Sequence, residues 1–395
     1  MGAGFEQKIV VKHAHELGIE VIAVDGNPSA EGLQIADKGI VADIKDISEM
    51  CRLASEYHVD GVMTHAVEIP YIVSRVAEKM KLPGLKPEIA EIATNKLFRI
   101  TRFKEQNIPS PFFSYASSKE DALKRAKEIG FPLVMKPIDS AGARGVCKIN
   151  NANEICRLYD DSITFSSTKT VLLEEFLNGP EISTESIIVD EKIITTGFAD
   201  RNYDTKEIFK PHLIENGHTL PSILPEDKKK ETIEVAEKAI RALGINFGVA
   251  KGDLIIDDGQ PKILEMAART SGGRFASDMV PLATGVDIIR PLIQMSIGIT
   301  INMDFLRVKY NKAAAQRFFF PSPGKIIAIK GLEEAKNMPG VYDIFLNQDI
   351  RIGGIVREVT NHTNRIGYVI ATADRRKEAI RRAESVVNKV KIEVM

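Results

Sequence analysis

The stretch Phe131–Ile149, "FPLVMKPIDSAGARGVCKI", joins two short apolar runs through a tip of small residues: Ser140, Ala141, Gly142, Ala143 and Gly145. A strand on each side makes it a hairpin, which excludes the strand–loop–helix of a Walker-type site. Small residues let successive backbone N–H groups close over an anion. Lys136, on the first strand, adds a charge worth about 4 kcal/mol against an anion at ~4 Å and an effective dielectric of roughly 20, before desolvation. The pattern predicts a phosphate-covering hairpin. Taken alone, it is equally that of a flexible tip beside an exposed lysine.

The neighbouring segments decide between the two. "NKLFRITRFKEQNIPSP" places Lys96 on a helix before the hairpin, and "VLLEEFLNGPEISTE" follows it as a strand running into acids and an aromatic. Further on, "GVAKGDLIIDDGQPKILEMAARTSGGR" reads as two strands joined at Asp258-Gly259. Asp253 and Glu265 fall near the same end of that pair. Two carboxylates there suit Mg²⁺, a hard ion that also takes phosphate oxygens and water.

In this order the elements resemble the ATP-grasp family, over roughly Lys96 to Gly298. The resemblance implies that Lys96 and Lys136 contact nucleotide phosphates and that Ser140, Gly142 and Gly145 belong to a mobile lid. It assigns adenine and ribose contacts to Glu174, Glu175, Phe176, Leu177 and Glu181. The metal acids are Asp253 and Glu265, for Mg²⁺ with Mn²⁺ as the alternative ion. Many members carry Glu-x-Asn at the second metal position, but here the run is Glu265-Met266-Ala267, and Ala267 cannot ligate. Biotin carboxylase and D-alanine–D-alanine ligase become poorer matches, and the number of bound ions is left open. "LEMAARTSGG" is instead similar to the L-amino acid ligases, which implies a substrate or acyl-phosphate contact for Arg269. "ENGHTLPSILPEDKKK" is similar too, and carries a substrate-pocket role to Glu215 and His218; the plain alternatives are an ion pair for Arg269 and a loop histidine for His218.

The chain opens "MGAGFEQKIVVKHAHELG". Gly2-Ala3-Gly4 lacks the third glycine of a dinucleotide loop and the strand that should precede it, although Asp25 ends the next strand where a ribose-binding acid would stand. The expectation is a Rossmann-like domain lacking its first strand, about five residues, with "GAG" as a turn beside the substrate cleft. "IEVIAVD", "KGIVAD" and "VDGVMTH" read as strands between the helices "ISEMCRLASEYH" and "IPYIVSRVAEKM", implying a parallel sheet. The fold class is α/β, in a three-domain arrangement: 1–92, 93–300 with a glycine-rich lid at about 130–195, and a small α+β cap at 301–395. In the cap, Phe318, Phe319 and Phe320 read as a core strand, and Arg365 of "NHTNRIGY" is weighed as a residue reaching the cleft but is not assigned to it.

Composition agrees with a globular enzyme. Of 395 residues 44% are hydrophobic and 27% charged, with 53 Lys and Arg against 54 Asp and Glu, so nucleic acid is not expected as the main partner. Cys51, Cys147 and Cys156 stand at no metal-ligand spacing, which suits a reducing cytoplasm. No signal peptide or membrane-length apolar run is read, and the family resemblance leans towards a homodimer acting on small molecules. The expected reaction is ATP-dependent ligation of a carboxylate to an amine through an acyl phosphate. The rivals are a purine-biosynthesis or carboxylase-like member activating formate or bicarbonate, an NAD-dependent oxidoreductase using the opening glycines, and a non-catalytic nucleotide-binding subunit.

Overall fold

The computed structural model describes residues 1–395, an α/β chain whose strands gather into four sheets. The first part alternates helix Lys8–Glu16, strands Ile22–Asp25 and Lys38–Val41, and helices Ile47–Glu56 and Pro70–Met80. Asp46 starts one helix by accepting from the amides of Ser48 and Glu49, and Pro70 starts the other, where a missing N–H loses no intrahelical bond. The two strands are parallel, with Ile22 opposite Lys38 and Asp25 opposite Val41. "VDGVMTH", expected as a strand, forms no ladder. The reason is local: between it and Ile22–Asp25 only Met1 and Gly2 offer backbone partners.

A four-stranded antiparallel sheet follows in the order Phe113–Ala116, Val171–Glu175, Leu133–Pro137, Cys147–Ile149. Leu133, Met135, Ile149, Val171 and Leu173 are buried in its core together with Ala122 and Ala126 of helix Lys119–Ile129 and Ile155 of helix Ala152–Ile163. This corrects the lid span of 130–195. The small sheet begins at Phe113 and ends at Glu175, whereas Glu181–Val189 and Lys192–Arg201 lie in the large sheet. The run from Ile182 to Ile188 is buried at every position, so it needs cover on both faces, which only a central strand receives.

The large sheet has eight strands, in the order Gln260–Ala267, Gly248–Asp257, Glu181–Val189, Lys192–Arg201, His218–Leu220, Ala313–Phe318, Gly367–Ala373, Val341–Leu346. Period-two alternation sorts its side chains. Ile187, Leu220, Ala314 and Ile370 pack with Phe275, Met279 and Ile289, while Ile188, Leu254 and Met266 pack on helix Glu226–Leu243. Ala313, Ala315, Val369 and Ala371 pack on helix Arg376–Lys389. The section 301–395, expected as a cap, thus gives Ala313–Phe318, Gly367–Ala373 and Val341–Leu346 to the central sheet. Only Gly324–Lys330, Ile355–Val356 and Lys391–Val394 form a sheet apart. The short buried strand His218–Leu220 has an open edge, and Ala313–Phe318 covers it.

Gly179 links the small sheet to the large one, and a Cβ on it would collide with the carbonyl oxygen of Ile256. Gly179→Ala is expected to destabilise the protein by about 1–3 kcal/mol, the range for overpacking. The measurement is the urea midpoint, which should fall with an unchanged slope; a midpoint equal to the parent's refutes this contact.

Candidate active site

Asp258 and Gly259, both at positive φ, close Gly248–Asp257 and Gln260–Ala267 as a tight hairpin. Its register sets Asp253 opposite Glu265, and Lys251 opposite Ala267. Lys251 stands two residues before Asp253, hence on the same face. Its Nζ contacts Asp253 and lies 3.7 Å from Glu265. Arg201 reaches Asp253 at 2.9 Å, Ser183 donates to it at 3.0 Å, and Arg99 lies 3.3 Å from Glu265. Burial pushes both carboxyls up. Arg201 and Lys251 outweigh it and hold Asp253 below its usual range, and Lys251, Arg99 and Lys96 hold Glu265 well below. Two facing ionised carboxylates fit a divalent oxygen-seeking ion, and Ala267 adds no ligand.

On the nucleotide side, Lys96 begins the helix Lys96–Glu105, which Asn95 caps through the amides of Leu97 and Phe98. Its Nζ donates to the carbonyl of Ser140, and burial lowers its pKa to about 8. Gly142, Ala143 and Gly145 all take positive φ, which turns the hairpin tip, and Ser140 Oγ donates to Arg144 O at 3.0 Å. Lys136 pairs with the buried Glu174 at 2.6 Å, so Glu174 already has a partner within the sheet. Glu175 turns the other way, accepting from Phe112 N at 3.0 Å and lying 3.6 Å from Lys262. Lys148 Nζ sits 3.7 Å from the centre of the Phe176 ring, and Leu177 is buried. Burial raises Glu181 to about 7 despite Arg201 at 3.3 Å.

The opening glycines form a turn next to these groups. Gly2 N donates to Val24 O, and Ala3 N to Asp25 at 2.7 Å, so Asp25 serves the backbone of its own loop. Glu6, at the end of that turn, accepts from Gly273 N at 2.9 Å.

The expected substrate residues lie on the far side of the metal pair. Arg269 is an ion-pair partner of Glu68 at 2.5 Å and donates to Thr270 O at 3.0 Å. Glu265 and Asp253 are near enough to raise its pKa further against burial. Glu185, raised to about 7 by burial, accepts from Ser271 N at 3.0 Å. Glu215 pairs with Arg201 at 3.0 Å and lies 3.4 Å from His218 Nδ1 and 3.9 Å from Arg365. His218 when protonated, with Arg201 and Arg365, outweighs burial and holds the Glu215 carboxyl well below the usual range. His218 is not a loop residue: it begins a buried strand, stacks on Phe275 and bonds Ser183 Oγ through Nε2 at 3.1 Å. Burial lowers its pKa, and its Nδ1 has no hydrogen-bond partner within the protein. Arg365 stacks on Phe318, 3.7 Å from the ring centre, and both line a cavity of about 220 Å³ with Glu6, Gly273, His362 and Tyr368.

Arg201, Lys251 and Glu68 thus join the candidate cleft although sequence reasoning passed over them, and Arg365, weighed from the sequence but not assigned, joins it too. Lys251 carried a signal, its strand spacing from Asp253. Arg201 and Glu68 belong to no local pattern and meet their partners only through sheet register and loop packing.

Residues 93–273 match the ATP-grasp domain family, and residues 317–395 match L-amino acid ligase C-terminal domain 2. The uncharacterized protein y4rH of Sinorhizobium fredii is 27% identical over 84% of this chain and 68% of its own length. Formate-dependent phosphoribosylglycinamide formyltransferase of Sulfolobus acidocaldarius is 23% identical, over 98% of this chain and 95% of that one. The crystal structure of L-amino acid ligase from Bacillus licheniformis superposes with a TM-score of 0.84 at 19% identity, covering 99% of this chain and 97% of the other.

Replacing Arg201 leaves Glu181, Glu215 and Asp253 facing one another. Arg201→Met is expected to lower stability at pH 7 by about 3–5 kcal/mol, as when one partner of a buried ion pair is removed. The deficit should shrink as the pH falls towards 5, since protonating Glu181 relieves the like charges. Urea titrations at both pH values check this, and an equal deficit at both speaks against the charge explanation.

Proposed function

Since residues 93–273 match the ATP-grasp domain family and residues 317–395 an L-amino acid ligase C-terminal domain, we propose that the chain is an ATP-dependent carboxylate–amine ligase acting on amino-acid-like substrates through an acyl phosphate. The observation that carries this reading is the meeting in one cleft of the facing acids Asp253 and Glu265 with Lys96 and the half-buried Arg269, both of which act on the Glu265 carboxyl. In this reading the spans 1–92, 93–300 and 301–395 each supply a wall: Glu6 and Glu68, the nucleotide and metal residues, and His362 with Arg365.

Lys96, Lys136 and the amides of the Ser140–Gly145 tip bind the phosphates of ATP and offset charge on the transferring group. Glu174 pairs with Lys136 until a phosphate takes its place. Leu177 and Phe176 line the base side, with Glu175 and Glu181 at its polar end. Asp253 and Glu265 would hold Mg²⁺, which would neutralise phosphate charge and orient the phosphates. The substrate carboxylate attacks the γ-phosphorus and ADP leaves; an amine then attacks the acyl carbon and inorganic phosphate leaves. The Arg269 fork matches two oxygens of a carboxylate or acyl phosphate in one plane. His218 is kept neutral near pH 7 by burial and has a free Nδ1, so it is the group suited to receive the amine proton. Glu215, firmly ionised, stabilises the resulting imidazolium instead. Glu6 and Arg365 give the adjoining cavity one carboxylate and one guanidinium, complementary to the two charged ends of an amino acid.

The three free cysteines agree with a cytoplasmic location, which belongs to this proposal together with a homodimeric state. No helix is long and apolar enough to cross a membrane. Similarity along almost the whole chain to a formate-dependent enzyme favours a second reading, activation of formate with a purine precursor as the amine. A phosphate-release screen with Mg-ATP separates the two: release that needs an amino-acid pair supports the first, and release with formate the second.

Arg269→Lys keeps the charge and loses the fork. Mg-ATP affinity is expected to stay within about threefold, a change of under ~1 kcal/mol, while turnover falls on the order of a hundredfold or more. Calorimetric titration and a coupled ADP assay on one preparation read both numbers. Surviving turnover with collapsed affinity assigns Arg269 to the nucleotide instead.

A further inference from the structure

Ser183 lies midway along Glu181–Val189, opposite Asp253 on one neighbouring strand and Ala199 on the other. It is buried, and its hydroxyl stands between two groups brought there by different strands: Asp253 Oδ1 at 3.0 Å and His218 Nε2 at 3.1 Å. A hydroxyl has one proton to give, and a carboxylate can only accept. The proton therefore goes to Asp253, the charged and nearer acceptor, and the oxygen accepts from His218. That assignment puts the ring hydrogen of neutral His218 on Nε2 and its lone pair on Nδ1.

The converse tautomer leaves more groups unmatched. Its Nδ1–H would be a buried donor without an acceptor, because Glu215 Oε1, 3.4 Å away, makes no hydrogen bond with it. Asp253 Oδ1 would meet a hydroxyl lone pair at 3.0 Å. The ring is also held in place: it stacks on Phe275 with centroids 4.9 Å apart, and its backbone pairs with that of Arg201. In the favoured tautomer the Nδ1 lone pair lies 3.4 Å from the Glu215 carboxylate. That contact repels until a proton arrives on Nδ1 and attracts afterwards.

We propose that Ser183 is a positioning residue: by donating to Asp253 it selects the Nε2–H tautomer of His218 and keeps Nδ1 open for the proton that the attacking amine gives up. As the C–N bond forms, the amine loses one proton and Nδ1 takes it. The imidazolium keeps its Nε2–H bond to Ser183 while the new N–H faces Glu215, and no proton passes through Ser183. Its part in the reaction rests on the ligase reading; the tautomer is a property of the resting protein and does not.

Nitrogen NMR of the full chain, labelled in its histidine rings and held at neutral pH, reads the tautomer; the signal lost in His218→Asn identifies the ring. The parent is expected to carry its hydrogen on Nε2, and a hydrogen on Nδ1 overturns the proposal whatever the protein catalyses. Ser183→Ala removes the partner of Nε2 and should shift the ring towards the Nδ1–H form, whereas Ser183→Thr keeps the hydroxyl and should keep Nε2–H. An unchanged tautomer in Ser183→Ala overturns the selecting role. Should that variant fail to fold, Ser183→Cys, whose thiol is a weak donor, takes its place with the same two outcomes. With an amino-acid pair and Mg-ATP, Ser183→Ala is expected to lower turnover on the order of tenfold or more, with KM for ATP within about twofold of the parent. Full turnover despite a changed tautomer overturns the positioning role and leaves the ligase reading intact. A parent that ligates nothing overturns that reading and leaves the tautomer standing.

Discussion

One guanidinium holds the cleft together. Arg201 lies 3.3 Å from Glu181, 3.0 Å from Glu215 and 2.9 Å from Asp253, carboxylates from the nucleotide, substrate and metal sides. Its position follows from register, since Arg201 pairs with Glu181 on one strand and His218 on the other. Three buried acids cannot share a small, poorly hydrated space without a compensating cation. Arginine suits the post because it stays protonated and spreads its donors over several acceptors. The strand order that gathers the acids is therefore also the order that delivers their neutraliser.

The same balance recurs around it. Lys251 lies against the metal acids, Arg99 behind Glu265, Lys136 against Glu174 and Arg269 against Glu68. On the proposed roles ligand binding would be an exchange of partners: a phosphate would take Lys136 from Glu174, and a metal ion would take Asp253 from Lys251. Part of the attraction for each ligand would go into those exchanges, moderating affinity and disfavouring ions that match neither charge nor shape.

What was legible in the sequence was what local chemistry encodes. The hairpin around Ser140–Gly145, the Asp258-Gly259 turn and the facing positions of Asp253 and Glu265 are each carried by a few neighbouring residues, and the backbone takes the form read from them. Strands failed where they depend on a distant partner. "VDGVMTH" has the composition of a strand but no ladder, and Glu181–Val189 joined a different sheet from the one its neighbours suggested. Arg201 and Glu68 were invisible for the same reason. Their chemistry lies in pairs separated by 14 and 201 positions, and spacing of that kind leaves no local pattern.

The continuous eight-stranded sheet has an evolutionary corollary. Because Ala313–Phe318 closes the edge of His218–Leu220, the seam between the central and terminal sections runs through a hydrogen-bonded ladder. Related enzymes cannot trade this section as a cassette without matching strand twist, register and the alanine-lined face beneath Arg376–Lys389. Change around Arg365 and His362 is then expected to arise by single substitutions inside an inherited frame.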